Sequence, residues 1–161
     1  MPAPILIIAI GNESRGDDAL APLLLRRLET ERHNGQFELL EDFQLQVEHA
    51  ADIAERELVL FIDAGMNTPA PYSFYRAQPD GTHTAFSHAL APEAVLATHV
   101  QVYQQNPPPA FVLCIRGEKF ELGSALSPEA SQNMKSALAL LRKLLHETNV
   151  AAWEFHAQAV T

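Results

Sequence analysis

Three uninterrupted apolar runs constrain this chain more than any other feature: Pro4-Ile-Leu-Ile-Ile-Ala-Ile10, Leu58-Val-Leu-Phe-Ile62 and Phe111–Ile115. A strand with one wet face alternates apolar and polar side chains, whereas a strand covered on both faces reads as a continuous hydrophobic run. All three runs are far shorter than the ~20 apolar residues of a membrane span. Segments of helical composition lie between them, and strands alternating with helices imply a parallel sheet. The expected fold is α/β: three layers, with a mostly parallel central sheet of about five strands and helices on both faces. A chain of 161 residues fits one such domain, spanning 1–161.

The remaining elements follow from punctuation and period. Asp17–Leu28 reads as a helix with an acidic first turn, where Pro22 is tolerable. Gly35 breaks it, Gln36–Asp42 is the second strand, and Val47–Arg56 a short helix. After the turn at Thr68–Pro71 comes a short edge strand, Tyr72–Arg76. Leu90–Tyr103 is helical and is stopped by Asn106-Pro-Pro-Pro109. Ala110–Arg116 is the last central strand, Gly117–Leu126 a loop, and Ser127–His146 the final helix. Ser127 supplies an N-cap hydroxyl ahead of Pro128, and Leu138, Leu141, Leu144 and Leu145 form an apolar stripe.

Charge narrows the partners. With 11 basic and 20 acidic residues the net charge is -9, which repels nucleic acid and anionic lipid. The opening Met-Pro-Ala-Pro lacks the basic flank of a signal peptide, so a cytoplasmic protein is expected. Cys114 is the only cysteine, which excludes an internal disulfide and a CxxC zinc site. Inside an apolar run it reads as a small core hydrophobe.

In parallel sheets ligands bind beyond the carboxyl ends of the strands. Two such ends carry polar residues: Gly11-Asn12 followed by Asp17-Asp18, and Asp63-Ala-Gly65. Asp63 closing so apolar a run is either a cap or turn former, or a functional carboxylate. Asp17 suits a helix N-terminus, while Asp18 is free to point elsewhere. The loop Gly11–Gly16 has neither the GxGxxG nor the Gly-Lys-Ser/Thr pattern, and its aspartates favour a cation over a phosphate. Among the histidines, His33, His146 and His156 fall in solvent-facing or terminal segments. His49 and His99 lie in helical stretches as partly exposed or capped residues, and His83 and His88 lie in the loop entering the helix at Leu90. No HExxH or GxSxG is present, so zincin chemistry and serine-elbow hydrolysis lack support.

Taken in order, Ile10-Gly-Asn-x4-Asp17-Asp18, Phe61-Ile-Asp-Ala64 and Ser87-His88 before a helix resemble the [NiFe]-hydrogenase maturation endopeptidases. The resemblance extends to Asp42–Glu48, Leu113-Cys-Ile-Arg-Gly-Glu118, Phe120-Glu-Leu-Gly123 and Leu126-Ser-Pro128. It implies that Asp18, Asp63 and His88 are the metal-binding and catalytic residues. Asn12, Asp17 and Arg116 are expected to orient them or to contact substrate, with a surface ion pair to Glu118 as the alternative for Arg116. His83 competes with His88, which is preferred for its distance to Pro92-Glu-Ala-Val-Leu96. Asp18 stands where the family more often has Glu, a ligand one methylene longer.

The activity implied is removal of a short C-terminal extension from a hydrogenase large-subunit precursor after nickel insertion. The nickel would be supplied by the substrate, with no tightly bound organic cofactor and with the enzyme a monomer. Carboxylate and neutral imidazole are suitable ligands for Ni(II). Two alternatives use the same features differently. One is a non-catalytic nickel-site assembly adaptor, and the other, resting on the glycine loop alone, a nucleotide- or flavin-binding module.

Overall fold

The computed structural model describes residues 3–31, 36–81 and 90–160. Five strands form one sheet: β1 (Ile5–Ile10), β2 (Phe37–Asp42), β3 (Leu58–Gly65), β4 (Tyr72–Ala77) and β5 (Ala110–Arg116). Their spatial order is β2-β1-β3-β5-β4. The first four in this order pair in parallel, and β4 runs antiparallel to β5 at the edge. The expected class is therefore the observed one.

The apolar runs are double-faced for a simple reason. Alternate residues of a strand point to opposite sides. Ile5, Ile7 and Ala9 pack with α1 (Leu20–Glu29), α4 (Pro128–His146) and α5 (Val150–Val160). Leu6, Ile8 and Ile10 pack on the other side with α2 (His49–Ile53) and α3 (Pro92–Tyr103). Each of the leucine and isoleucine side chains contributes about 1.5–3 kcal/mol of transfer free energy, so neither face tolerates a polar residue.

Several boundaries differ from the sequence expectation. A 3-10 turn, Gly16–Ala19, precedes α1, and Pro22 then falls in the first turn of α1, where its missing N–H costs nothing. The short helix contracts to His49–Ile53. β3 continues past its apolar run to Gly65, so Asp63 sits within the ladder, opposite Cys114. The helix Ser127–His146 is not the last. It is followed by α5, whose Trp153 is fully buried, with its indole N–H donating to Leu144 O at 2.9 Å. Trp153 meets Phe111 edge-on at 5.5 Å, and Phe111 stacks on Phe74 at 5.5 Å. This aromatic stack anchors α5 over the edge strand.

Helix α4 starts as expected. Ser127 Oγ accepts the Ala130 amide at 3.1 Å with Pro128 in the first turn. Two expectations about burial fail. Cys114 is half-buried and not a core residue, with Sγ 3.0 Å from Thr68 Oγ1. His49 and His99 are both buried, not partly exposed. His49 Nδ1 accepts the Gln46 amide at 2.8 Å, and its Nε2 lies 3.3 Å from Asp42 Oδ2.

Candidate active site

The chain leaves β1, crosses to β2 on one side, and returns to β3 on the other side of β1. This reversal between β1 and β3 opens a crevice at the carboxyl ends of the two strands, the usual ligand position in such sheets. A pocket of about 310 Å³ lies there, with Asp18 and Asp63 in its wall. Apolar side chains enclose the carboxylates: Ile10 from β1, Phe43 and Leu45 after β2, Met66 after β3, and Phe120 after β5.

Asp63 comes from the end of β3, where the backbone is fixed by pairing with β5. Its Oδ1 accepts the Ala64 amide at 2.7 Å. Burial raises the carboxyl strongly, and the Asp18 charge raises it further. The Ala64 hydrogen bond offsets only part of this, and the pKa is pushed up from 3.8 to about 7. Asp18 arrives from the Gly16–Ala19 turn. Burial also pushes its carboxyl up, more than the Asn12 amide and the Arg15 charge pull it down. The structure thus holds two desolvated carboxylates that repel one another, an arrangement that stabilises a bound cation or a shared proton.

Asn12 reaches Asp18 through its backbone. Its amide N–H donates to Asp18 Oδ2 at 2.8 Å, while its side-chain Oδ1 accepts the Ser14 amide at 2.9 Å. Gly11 makes this approach possible, since a Cβ there would lie 2.0 Å from Asp18 O. Asp17 lies in the first turn of the Gly16–Ala19 segment, as its acidic side chain led one to expect, but it is not part of the pocket wall. It is completely buried, and the four hydrogen bonds it accepts come from the loop after β5: the amides of Glu118, Lys119 and Ser127, and the Ser127 hydroxyl. Burial pushes this carboxyl up, but those bonds together outweigh it and hold the pKa below its usual value.

Arg116 does not line the pocket. Its Nη1 donates to Thr68 O at 3.0 Å and its Nε lies 3.2 Å from Glu118 Oε1, the surface ion pair that was the alternative expectation. His88 and His83 lie outside the described residues. Leu90, which follows that segment, lines the pocket. Among the described residues no group of three His, Cys, Asp or Glu side chains gathers as a metal site would require.

Sequence reasoning assigned no role to Phe43, Met66 or Phe120. Each is an apolar residue within a few positions of a strand's carboxyl end, and that placement is the signal that finds them. Phe43 and Met66 are also well exposed, which is unusual for side chains of this size.

No family model matches the chain, and no curated protein sequence does either. Solved structures do. A [NiFe] hydrogenase maturation protease, HycI of Thermococcus kodakarensis KOD1, matches with a TM-score of 0.67 and 22% identity over 90% of this chain and 94% of its own. The hydrogenase maturating endopeptidase HybD of Escherichia coli matches with a TM-score of 0.70 and 21% identity over 90% and 93%. An endopeptidase from Escherichia coli matches with a TM-score of 0.71 and 23% identity over 91% and 94%. The fold is that of the hydrogenase maturation proteases. Within this maturation-protease fold, the crevice between β1 and β3 is where the two carboxylates meet. Among the described residues no helix is long and apolar enough to cross a membrane.

Proposed function

We propose that this chain is a processing endopeptidase that removes the C-terminal extension of a [NiFe]-hydrogenase large-subunit precursor once nickel is in place. The observation that carries the reading is the Asp18–Asp63 pair in the pocket at the β1–β3 crossover of a maturation-protease fold. Asp18, Asp63 and His88 are its proposed metal-reading and catalytic residues. His88 stands two residues before Leu90 of the pocket wall. The enzyme acts in the cytoplasm, as a monomer that meets its larger substrate transiently.

The chemistry follows from the two carboxylates. Before substrate arrives, burial, aided by repulsion from Asp18, keeps a proton on Asp63 for part of the time near neutral pH. A cation presented by the precursor removes that repulsion, so Asp63 gives up its proton and both carboxylates turn to the incoming charge. Nickel held by the precursor supplies Lewis acidity, for polarising the scissile carbonyl or activating a water. Apolar walls from Ile10, Phe43, Met66 and Phe120 lower the polarity around the carboxylates, and a docked precursor covering the exposed Phe43 and Met66 would displace the remaining water. A precursor without nickel leaves two mutually repelling acids facing an incomplete partner, so selectivity comes from the metal itself.

Asp63→Asn and His88→Ala test the assignment. Each should abolish shortening of the cognate nickel-loaded precursor while circular dichroism shows the fold intact. Wild-type rates in both variants would remove these residues from the mechanism. Binding of the precursor without any shortening by the wild-type chain would favour the assembly adaptor instead.

A further inference from the structure

Asp17 has a property that the reaction as described does not use. It is fully buried, one residue before Asp18, and its oxygens are saturated by a segment about a hundred residues away. Oδ2 accepts from Glu118 N at 2.6 Å, Lys119 N at 3.0 Å and Ser127 Oγ at 2.7 Å, and Oδ1 accepts from Ser127 N at 2.7 Å. The traffic is two-way. Asp17 N donates to Lys119 O at 2.6 Å and Gly123 N to Ser14 O at 2.7 Å.

Two glycines allow the segments to come this close. Gly16 adopts φ +56, and a Cβ on it would lie 2.4 Å from Lys119 O. A Cβ on Gly117 would lie 2.9 Å from Asp17 Cβ and 2.7 Å from the Phe120 ring. Phe120 is itself a wall of the pocket. The buried carboxylate therefore joins the turn that carries Asp18 to the loop that carries Phe120.

We propose that Asp17 is a positioning residue, whose hydrogen-bond network locks the Asp18 turn and the 117–127 loop into one rigid frame, so that ligand and pocket wall meet the substrate as a unit. This deepens the protease reading and rests on it for its catalytic consequence. The need is physical: a ligand must be held within about 0.5 Å of its productive place, and side chains beyond the contacting ones supply that restraint. Among the described residues, the Asp18 carboxylate accepts one hydrogen bond, from the Asn12 amide.

The Asn12 amide is consequently a direct reporter of where the Asp18 carboxylate sits. In Asp17→Asn, either orientation of the new amide sets its NH2 against an N–H donor, because both oxygens now accept backbone N–H groups. Hydrogen exchange by NMR should then show the Asn12 amide exchanging at least about tenfold faster, together with those of Glu118 and Lys119. Ser127→Ala removes one donor and leaves three, so it should give a smaller acceleration at Asn12, and Ser127→Thr should restore it. If Asp17→Asn does not fold, the Ser127 pair decides. On nickel-loaded precursor, at a temperature where the variant is folded, Asp17→Asn should lose at least about tenfold in kcat with little change in KM.

Wild-type exchange at Asn12 in Asp17→Asn and Ser127→Ala, with acceleration confined to the 117–127 loop, would overturn the proposal. So would wild-type kcat in a folded Asp17→Asn. Failure of the wild-type chain to cleave would count against the protease reading alone, since the exchange experiment still decides whether Asp17 positions Asp18.

Discussion

Replacing Asp63 by asparagine removes an ionisable group while changing almost no volume, and the structure fixes the sign of the effect. Burial and the Asp18 charge raise the Asp63 carboxyl from 3.8 to about 7. Between these values the unfolded chain has released the proton and the folded chain retains it. Stability from this group is therefore fully present below about pH 4, is lost as pH rises toward 7, and is constant above that. A rise of this size corresponds to at most about 4 kcal/mol at pH 8 and about 1.5 kcal/mol at pH 5. Asparagine keeps a carbonyl oxygen for the Ala64 amide, so the hydrogen bond at 2.7 Å is preserved.

Asp63→Asn should consequently be more stable than the wild type, by an amount that grows with pH. Urea denaturation of both proteins at pH 5, 6 and 8 measures it, and at pH 8 the melting temperature should rise by up to about 10 °C. Groups not coupled to Asp63 cancel in the difference, and the repulsion relieved at Asp18 adds to the stabilisation in the same direction. A variant that is less stable than wild type, or a difference independent of pH, would refute the claim that Asp63 is held in a strained, desolvated state. A stabilised but inactive variant is the expected signature of a residue kept for function at a cost in stability.

Other consequences can be checked with single substitutions. Trp153→Ala should cost about 3–5 kcal/mol by chemical denaturation, because it empties a fully buried site and strands the Leu144 carbonyl. Gly11→Ala should destabilise by about 1–3 kcal/mol, since its Cβ would meet Asp18 O at 2.0 Å and neither backbone segment can yield freely. Comparing His83→Ala with His88→Ala in the processing assay should show activity lost only in the second.

Much of the fold was legible because burial on both faces writes itself into the sequence as unbroken apolar runs. The strand ends then pointed to Asp18 and Asp63 by geometry alone. The limits are equally physical. Asp17 revealed only its place in a first helical turn, because the partners of its carboxylate, Glu118, Lys119 and Ser127, are distant in sequence. Cys114 looked like core because its run is apolar. β5, however, extends to the rim, where Cys114 lies opposite Asp63 and beside the side-chain-free Gly65. Helix α5 was missed because Val150–Val160 has no strong amphipathic stripe, and it is secured instead by Trp153 packing on Phe111. His88 was reached through family resemblance, not through strand-end geometry, and lies outside the described residues.

The central claim is that the paired carboxylates serve a protease whose action waits on substrate-held nickel. Incubating the chain with cognate large-subunit precursor, nickel-loaded and nickel-free, and reading intact mass tests it most directly. The account predicts loss of a C-terminal fragment from the nickel-loaded precursor alone. An unchanged mass for the nickel-loaded precursor, or equal cleavage of both forms, would contradict it.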